Sequence, residues 1–508
     1  MAPSAFYITT AIDYANGDPH VGHAFEKIGA DVIARYHRLR GKNVHFLVGM
    51  DEHGQKVAQT AAEAGISPQE LADRIAGSFA RMWSRLGISY DQFIRTTGTP
   101  HKTGVRALIE QMFERNPGDF YEKSYEGWYC VGCELFKRES ELNDGRCALH
   151  PTRTLQWTEE RNWFFRLTRY EGLLRELHEH RRKFLQPESR RNEILGLLKA
   201  GLEDISITRS RLSWAIPFPR ETSAGETQGT WVWFDALPNY LTATGFPEPR
   251  YEQRWPAQLH VIGKDITRLH AVVWPAMLTS AGLPLPERVW AHGWVSLGGE
   301  RFSKSAGVQL DLDEAIDRFG PDAFRYFLMR EVPFDGDGGF SWERFEERYN
   351  ADLANAFGNL ASRTLAMIAR YRGGLIPLGM PNEIDRADAQ DVAAYVEAME
   401  GNLLHEALRC VWRTVARGNE YVDHQAPWQV AKDPSRSADL SGTLATLARQ
   451  LVRQCVLVSP FMPFKASELW QRLGGCARDA AGTWADVEAA NPTDWAVSKG
   501  DPLFPRGD

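Results

Sequence analysis

A chain of 508 residues is too long for one ordinary domain, so about two to four domains are expected. Its hydrophobic share of 43% and charged share of 25% are ordinary for a globular protein, and no apolar run reaches the ~18 residues of a membrane-spanning helix. The net charge of −7 excludes a surface that binds nucleic acid throughout, so such a partner would need a local basic surface. The first residues lack the basic and then apolar pattern of a signal sequence, and we expect a cytoplasmic protein.

The first predicted elements are a strand over residues 6–11, a turn rich in Gly and Pro, and an amphipathic helix over residues 24–40. His20 and His23 fall in the first turn of that helix, three residues apart, so both can face one ligand. A helix N-terminus favours phosphate, and Gly22 leaves room for a flat group such as a base. Imidazole N–H groups suit attack on the α-phosphate of ATP. Two ordinary turn histidines are the alternative.

The next strand is predicted over residues 44–50 and ends at Asp51, before another helix. Alternating strands and helices indicate a parallel sheet covered by helices, whose ligands bind beyond the carboxyl ends of the strands. His20 and Asp51 both follow such ends. The pattern breaks over residues 119–225, which indicates an insertion. It resumes near Thr230, over the stretches 231–236, 259–265 and 289–292.

Within the insertion, Cys130, Cys133, Cys147 and His150 form two close pairs separated by a spacer. This spacing is typical of a tetrahedral zinc site with three Cys ligands and one His ligand. Four protein ligands leave no open position, so the predicted Zn²⁺ is structural. A degenerate knuckle or free thiols are the alternative.

A glycine-flanked polar loop follows over residues 298–307 and carries Arg301 and Lys304. Phosphoryl chemistry needs positive charge at the leaving phosphates, and a mobile loop can close on ATP and reopen for release. Considered alone, this stretch is better explained as an ordinary charged surface loop.

The chain is predicted to be helical from about residue 351. Asn359 and Arg363 are four residues apart and point nearly opposite the apolar stripe, where a solvated helix face is the simple interpretation. The apolar positions at helical spacing are Leu353, Phe357, Leu360, Thr364, Ile368 and Tyr371.

Together these motifs resemble the class I aminoacyl-tRNA synthetases and, within them, the methionyl-tRNA synthetase family with a single zinc knuckle. The resemblance covers nearly the whole chain. Residues 20–23 match the histidine signature of the class, and residues 301–305 match its lysine–serine signature. Further family-like stretches are residues 14–17, 233–240 and 263–266.

The fold expected from pattern and resemblance is α/β: a Rossmann-like parallel sheet split by a zinc-knuckle insertion and followed by an all-α helical-bundle domain. The expected segments are the first half of the Rossmann catalytic domain (1–118), the connective insertion (119–225, with its knuckle at about 127–157), the second half with the lysine–serine loop (226–310), a stem-contact region (311–350) and a helical anticodon-binding domain (351–508).

The resemblance also implies the activity. Such an enzyme activates L-methionine with ATP, releases pyrophosphate, and transfers methionine from the adenylate to the 3′-terminal ribose of tRNA(Met), including the initiator. Mg²⁺ accompanies ATP. The absence of the carboxyl-terminal domain that dimerises some relatives favours a monomer.

The resemblance assigns roles to individual residues. Asp51 binds the methionine ammonium group, and the other methionine-binding residues combine aromatic walls, a small residue and polar tips, which suit a flexible thioether. The methionine set is Ile12, Tyr14, Asp51, Trp233, Ala236, Leu237, Tyr240, Ile266 and His270. The ATP set is His20, Gly22, His23, Gly263, Asp265, Val295, Arg301 and Lys304, of which His20, His23, Arg301 and Lys304 are the catalytic residues. The anticodon set is Asn359, Arg363 and Trp428.

The sequence departs from the family at two places. The loop begins Arg301-Phe302 where the family usually has Lys-Met, and Arg and Lys are not equivalent. Asp13 stands where an uncharged residue is common, and the resemblance assigns it no role.

Three other functions compete with this interpretation. The valine, isoleucine and leucine enzymes carry a larger editing insertion, and the cysteine enzyme binds its substrate with an open zinc site. A small-molecule nucleotidyltransferase shares the histidine turn but needs no Asn359, Arg363 or Trp428. A zinc-dependent RNA-binding module needs no catalytic histidines.

Overall fold

The computed structural model describes residues 4–131, 135–137, 142–148, 154–210, 212–297, 300–301, 310–476 and 481–506. The strands in these ranges are β1 (Ala5–Thr10), β2 (Asp13–Tyr14), β3 (Asn43–Asp51), β4 (Gln92–Arg95), β5 (Phe120–Cys130), β6 (Leu135–Lys137), β7 (Leu142–Asn143), β8 (Arg146–Cys147), β9 (Gln156–Phe165), β10 (Leu185–Gln186), β11 (Ile205–Ser206), β12 (Thr208–Arg209), β13 (Gly229–Thr230), β14 (Leu259–Gly263), β15 (Val289–His292), β16 (Val295–Leu297), β17 (Glu300–Arg301) and β18 (Gly338–Phe340). The α-helices are α1 (Val21–Leu39), α2 (Gln55–Glu63), α3 (Pro68–Arg85), α4 (Thr99–Arg115), α5 (Glu171–His180), α6 (Glu188–Ala200), α7 (Val232–Ala236), α8 (Asn239–Thr242), α9 (Trp274–Ala281), α10 (Leu312–Phe319), α11 (Pro321–Glu331), α12 (Trp342–Arg348), α13 (Asn359–Tyr371), α14 (Glu383–Glu400), α15 (Leu404–Gln425), α16 (Pro427–Val430), α17 (Ser437–Val458), α18 (Pro463–Leu473) and α19 (Trp484–Glu488).

The described residues fall into two compact units that interleave along the chain. The first, the sheet unit, comprises Met1–Pro19, Asn43–Trp83 and Tyr90–His292. The second, the helical unit, comprises His20–Lys42, Ser84–Ser89 and Gly293–Asp508. Helix α1 therefore belongs to the helical unit, although it follows β1 and β2 directly in sequence. The exact boundaries of the five segments expected from the sequence stay predictions.

The sheet unit is built on a parallel sheet with strand order β10–β15–β14–β1–β3–β2, and β4 lies beside β3. Strand β1 pairs with β14 on one side and with β3 on the other, all parallel. The central strands are buried apolar runs, as expected for a sheet covered on both faces by helices. The predicted Rossmann-like sheet is therefore confirmed.

The stretch 119–225 contributes strands to four of the sheets in the described residues, of which two are relevant to the site. Its long strands β5 and β9 pair antiparallel, with β6 and β11 at the edges. It also supplies β10, which pairs parallel with β15 at the edge of the main sheet. Phe165 and Ile194 from this stretch pack in one hydrophobic core with Tyr7 and Leu47 of the main sheet. The predicted insertion is therefore packed into the catalytic fold.

The helical unit confirms the predicted all-α carboxyl-terminal region. Tyr349–Gly358 is a π-helical segment that continues into α13. Along both segments, the predicted apolar stripe is inaccessible to solvent from Leu353 to Ile368, while Tyr371 is half-buried. In the described parts of the chain, no helix combines the length and apolar character that a bilayer would require.

A buried ion pair ties α1 to the rest of the helical unit. The Arg325 guanidinium on α11 lies 2.7 Å from the Asp31 carboxylate on α1, and both side chains are fully buried. Arg325 also donates to the carbonyl oxygens of Phe461 and Pro460, 2.8 Å away, just before α18. Burial alone would raise the pKa of Asp31, but Arg325 and then Arg35 hold it below its ordinary value.

We expect Arg325→Met to lower the free energy of unfolding by about 3–5 kcal/mol, because it leaves the Asp31 carboxylate buried without its strongest partner. Urea unfolding followed by circular dichroism measures this loss. The matched control is Arg344→Met, which breaks an exposed pair with Glu331 and should cost no more than about 1 kcal/mol. Equal losses in the two variants would contradict the role of the buried pair.

Candidate active site

The sheet unit contains a cavity at the carboxyl edge of its parallel strands. Its lining surrounds about 290 Å³ of space, part of which is open to solvent. All nine residues of the predicted methionine set line this cavity, and Ala11 and Asn239 line it as well. The structure therefore brings the whole predicted set together from four stretches of sequence.

The lining residues reach the cavity because strands that run side by side end at the same edge. Ile12 follows β1, Asp51 ends β3, and Ile266 follows β14. Strand β2 adds Tyr14, which pairs with Asp51, and the Ala15 amide donates to the Asp51 carbonyl oxygen at 2.9 Å.

The opposite wall comes from two short helices. Trp233 and Ala236 lie on α7, Leu237 follows α7, and Asn239 and Tyr240 are the first two residues of α8. The sequence stretch 231–236 thus forms a helix and adds no strand to the sheet.

A hydrogen-bonded pair of polar groups closes the floor of the cavity. His270 Nε2 lies 2.7 Å from the Tyr240 hydroxyl, and His270 Nδ1 lies 3.0 Å from the Ile266 carbonyl oxygen. A carbonyl oxygen can only accept, so Nδ1 carries a proton, and in the neutral form of His270 the Nε2 atom accepts from the Tyr240 hydroxyl. The Tyr240 oxygen keeps acceptor capacity in this arrangement, at the boundary between the cavity and the core.

A second histidine lies beneath this pair. The ring of His260 on β14 packs at a tilt against the Tyr240 ring, with centroids 4.3 Å apart, and its Nδ1 lies 2.7 Å from the Thr9 hydroxyl. Burial, with a smaller contribution from His270, lowers the pKa of His260 well below its ordinary value. His260, in the core beneath the cavity, is therefore uncharged at neutral pH.

Asp51 and Asp13 are both buried, with 2% and 6% of their surfaces exposed. Asp51 is the acidic residue of the cavity lining, so a cationic group of a ligand would meet its carboxylate there. Asp13 lies next to Tyr14 on β2 and is absent from that lining.

Gly263 and Asp265 are predicted to hold a ribose. Gly263 is the last residue of β14, and Asp265 comes two residues later. Asp265 lies in a short 3₁₀ turn, Lys264–Ile266, and its side chain is exposed. A Cβ atom on Gly263 would come within 2.7 Å of Asp265 Oδ1, so glycine allows the carboxylate to fold back over the strand end. This exposed carboxylate can accept hydrogen bonds from hydroxyl groups.

His20 and His23 lie in the helical unit, at the N-terminus of α1. The His20 amide donates to His23 Nδ1 at 3.2 Å, and the Gly22 amide donates to His20 Nδ1 at 3.1 Å. Each neutral ring therefore carries its proton on Nε2. The two rings stack with centroids 3.7 Å apart, which presents two parallel N–H groups of the kind that bind phosphate oxygens.

Gly22 lies directly against the ring of His20, which caps the helix. A Cβ atom at this position would lie 3.0 Å from Cε1 of that ring, so a larger residue would crowd the cap. The expected approach of a base to the Gly22 backbone stays a prediction.

The remaining ATP-site residues lie in the helical unit or outside the described residues. Val295 begins β16 and is 4% exposed. Arg301 pairs with Ser296 through the backbone of β17, while Lys304 lies outside the described residues.

The predicted zinc ligands are described in part. Cys130 and Cys147 are buried and pack in one small cluster with Leu155. Cys133 and His150 lie outside the described residues. Among the residues that are described, no group of three or more His, Cys, Asp or Glu is placed to hold a metal.

The predicted anticodon residues lie together on the helical unit. Asn359 is exposed at the start of α13, one turn before Arg363. The Arg363 guanidinium lies 5.6 Å from the centre of the Trp428 ring and 2.8 Å from Asp423. Trp428 is 39% exposed, so an aromatic face with a neighbouring cation is open to solvent.

Sequence reasoning missed a buried network beside the cavity. Asp235 accepts from His53 Nδ1 at 2.7 Å and from His101 Nε2 at 2.8 Å. Burial alone would raise the pKa of Asp235, but the two histidines lower it to about 2. The available signal was a single carboxylate inside the apolar stretch 231–237.

Comparison with known families identifies two matching regions. Residues 6–148 and 137–365 match the family model described as tRNA synthetases class I (M). Residues 382–504 match the model described as the anticodon binding domain of methionyl tRNA ligase.

Individual relatives match over nearly the whole of this chain. The methionine–tRNA ligase of Brucella suis is 43% identical, with 100% of this chain and 98% of the relative covered. That of Caldanaerobacter subterraneus subsp. tengcongensis is 42% identical over 99% of this chain and 79% of the relative. The solved structure of Mycobacterium tuberculosis methionyl-tRNA synthetase in complex with methionyl-adenylate is 39% identical, with a TM-score of 0.93 over 99% of this chain and 100% of that chain.

Proposed function

Because the chain belongs to the methionine–tRNA ligases of the class I tRNA synthetases, we propose that the residues described above activate L-methionine with ATP and transfer it to tRNA. The enzyme is a ligase whose substrates are methionine, ATP and tRNA. The observation that carries the residue assignments is the single cavity lined by all nine residues of the methionine set.

The cavity binds both ends of the methionine molecule, the ammonium group and the thioether. The buried Asp51 carboxylate pairs with the ammonium group, and the side chain extends between Trp233 and the aliphatic residues. At the far end, the Tyr240 oxygen and the His270 ring face the thioether sulfur. A neutral, polarisable floor suits sulfur, whereas a charged side chain would be desolvated there without a partner.

Activation is one displacement at phosphorus. A carboxylate oxygen of methionine forms a bond to the α-phosphorus of ATP, the bond to the β-phosphate oxygen breaks, and pyrophosphate leaves with the electron pair. His20 and His23 donate hydrogen bonds from Nε2 to phosphate oxygens whose negative charge grows in the transition state. No covalent enzyme intermediate is needed, so positioning and charge stabilisation supply the rate.

The other ATP contacts divide by chemistry. Asp265 accepts from the ribose hydroxyl groups at the end of β14, and Gly263 gives this carboxylate room. The backbone at Val295 meets the adenine, and Arg301 with Lys304 binds the β- and γ-phosphates. ATP enters as its Mg²⁺ complex, so the ion comes with the substrate.

The second half-reaction moves the aminoacyl group. A hydroxyl oxygen of the 3′-terminal ribose attacks the carbonyl carbon of methionyl-adenylate, the bond from that carbon to the phosphate oxygen breaks, and AMP leaves with the electron pair while the hydroxyl proton is released. On the helical unit, Arg363 and Trp428 form a platform for unstacked anticodon bases, and Asn359 adds an amide for hydrogen bonding.

Cys130, Cys133, Cys147 and His150 would hold one structural Zn²⁺. Two thiol groups buried in one small apolar cluster support this proposal, because buried thiolates suit zinc and the cluster is too small to be stable as a core by itself. A cytoplasmic location and a monomeric state stay predictions.

We expect His23→Asn to reduce kcat of methionine-dependent ATP–pyrophosphate exchange about 100- to 1,000-fold, because one donor to the developing charge is lost. The matched control is His45→Asn, a histidine of β3 that contacts Gln92, and it should retain activity within about twofold. Exchange at the original rate in His23→Asn would contradict the catalytic role, and a preference for another amino acid would contradict methionine as substrate.

We expect Trp428→Ala to lower kcat/KM for tRNA charging about 5- to 150-fold, since one stacked base is worth about 1–3 kcal/mol. ATP–pyrophosphate exchange should be unchanged, because that reaction needs no tRNA. Trp428→Phe keeps an aromatic face and should restore most of the charging. Normal charging by the alanine variant would remove the support for the platform.

We expect one zinc ion per chain in the purified protein by mass spectrometry, and its loss in Cys147→Ser. Cys476→Ser is the control, because this exposed cysteine lies outside the cluster. A metal-free wild-type protein, or full zinc content in Cys147→Ser, would disprove the metal site.

A further inference from the structure

We propose that the Asp235 carboxylate, which bonds both His53 and His101, is a positioning group that fixes the walls of the methionine cavity relative to one another. This inference rests on the proposed function of that cavity. None of the three residues lines the cavity, so each would act through residues that do.

The three side chains of this network are buried, and both carboxylate oxygens have a hydrogen-bond partner. Asp235 is fully buried, and His53 and His101 are each 2% exposed. Each carboxylate oxygen is used by a different imidazole, at 2.7 Å from His53 Nδ1 and 2.8 Å from His101 Nε2. Such a bridge fixes both ring planes relative to the carboxylate.

Each member sits beside residues that form the cavity. Asp235 lies on α7 between Trp233 and Ala236, and His53 follows Asp51 by two residues. Through these positions, the network joins the segment that binds the ammonium group to the helix that forms the aromatic wall.

His101 extends the network from α7 to α8, the second short helix of the same wall. Its Nδ1 lies 2.8 Å from the Thr242 hydroxyl on α8, the helix that carries Tyr240. Helix α4, which bears His101, packs closely here, since a Cβ atom on Gly104 would come within 2.5 Å of Thr242. A long scaffold helix thus anchors two short helices whose own backbone bonds are few.

The carboxylate is suited to this task because it is ionised. Two histidines lower its pKa to about 2 although burial opposes this, so both oxygens accept throughout the working pH range. An amide offers one acceptor oxygen and one donor group, so Asp235→Asn forces one histidine to move its proton to the other nitrogen. Asp235→Ala removes both acceptors.

The test is steady-state ATP–pyrophosphate exchange, with the active enzyme counted by titration with methionine and ATP. We expect Asp235→Ala to raise KM for methionine about 100-fold and Asp235→Asn about tenfold, since a misplacement of about an ångström has effects of this size. KM for ATP and kcat should stay within about threefold. Asp204→Asn is the matched control, a carboxylate of the same unit that bonds Tyr121 and Thr168, and both of its KM values should be unchanged.

An unchanged methionine KM in Asp235→Ala would overturn the inference. So would equal changes in both KM values, or a loss of activity fully explained by fewer active molecules, since these indicate general support of the fold. If Asp235→Ala does not fold, Thr242→Val decides by the same criteria, with an expected methionine KM about fivefold higher. If the wild-type enzyme shows no methionine-dependent exchange, the proposed function fails, whatever the variants do.

Discussion

The parallel pairing of β1 with β3 and β14 is the constraint on which the site depends. Parallel neighbours end at one edge, so the residues after three strands converge whatever their distance in sequence. Ile12, Asp51 and Ile266 meet around one cavity for this reason. The ends of these strands also explain why polar side chains line the cavity. Within a buried sheet the backbone groups are all paired and the side chains are apolar, so polar side chains are tolerated only where a strand ends.

Buried charge has a specific structural use in each unit. Hydrophobic packing tolerates many small displacements, whereas a buried carboxylate must keep its donors at hydrogen-bond distance. In the helical unit, Asp31 and Arg325 fix α1, the helix that begins with the paired histidines, against α11 and the turn before α18. In the sheet unit, Asp235 does the same for the short helices of the cavity wall. Each unit thus fixes its own functional element with a group that apolar contacts could not replace.

Much of this was predictable from the sequence, for identifiable reasons. Strand ends, glycine turns and family signatures are local, so Asp51, Asp265 and the histidine turn could be located before the structure. The buried networks were not predictable, because their partners are distant: His101 and Asp235 are 134 residues apart, and Asp31 and Arg325 are 294 apart. Gly22 shows a second limit, since glycine indicates a close approach but does not show that the His20 ring is one of the groups that approach.

In the three histidines that the proposed function assigns to substrate contacts, the protonation of Nδ1 is fixed in the same way. A backbone group bonds Nδ1 in each case, but with opposite polarity: amides donate to His20 and His23, whereas a carbonyl oxygen accepts from His270. In their neutral form the first two therefore present N–H donors at Nε2, and the third accepts at Nε2 from Tyr240. An N–H donor suits a phosphate oxygen, whereas an acceptor nitrogen orients a neighbouring hydroxyl group. Backbone geometry fixes the tautomer in each case, so it decides which of these two chemistries the same residue type can perform.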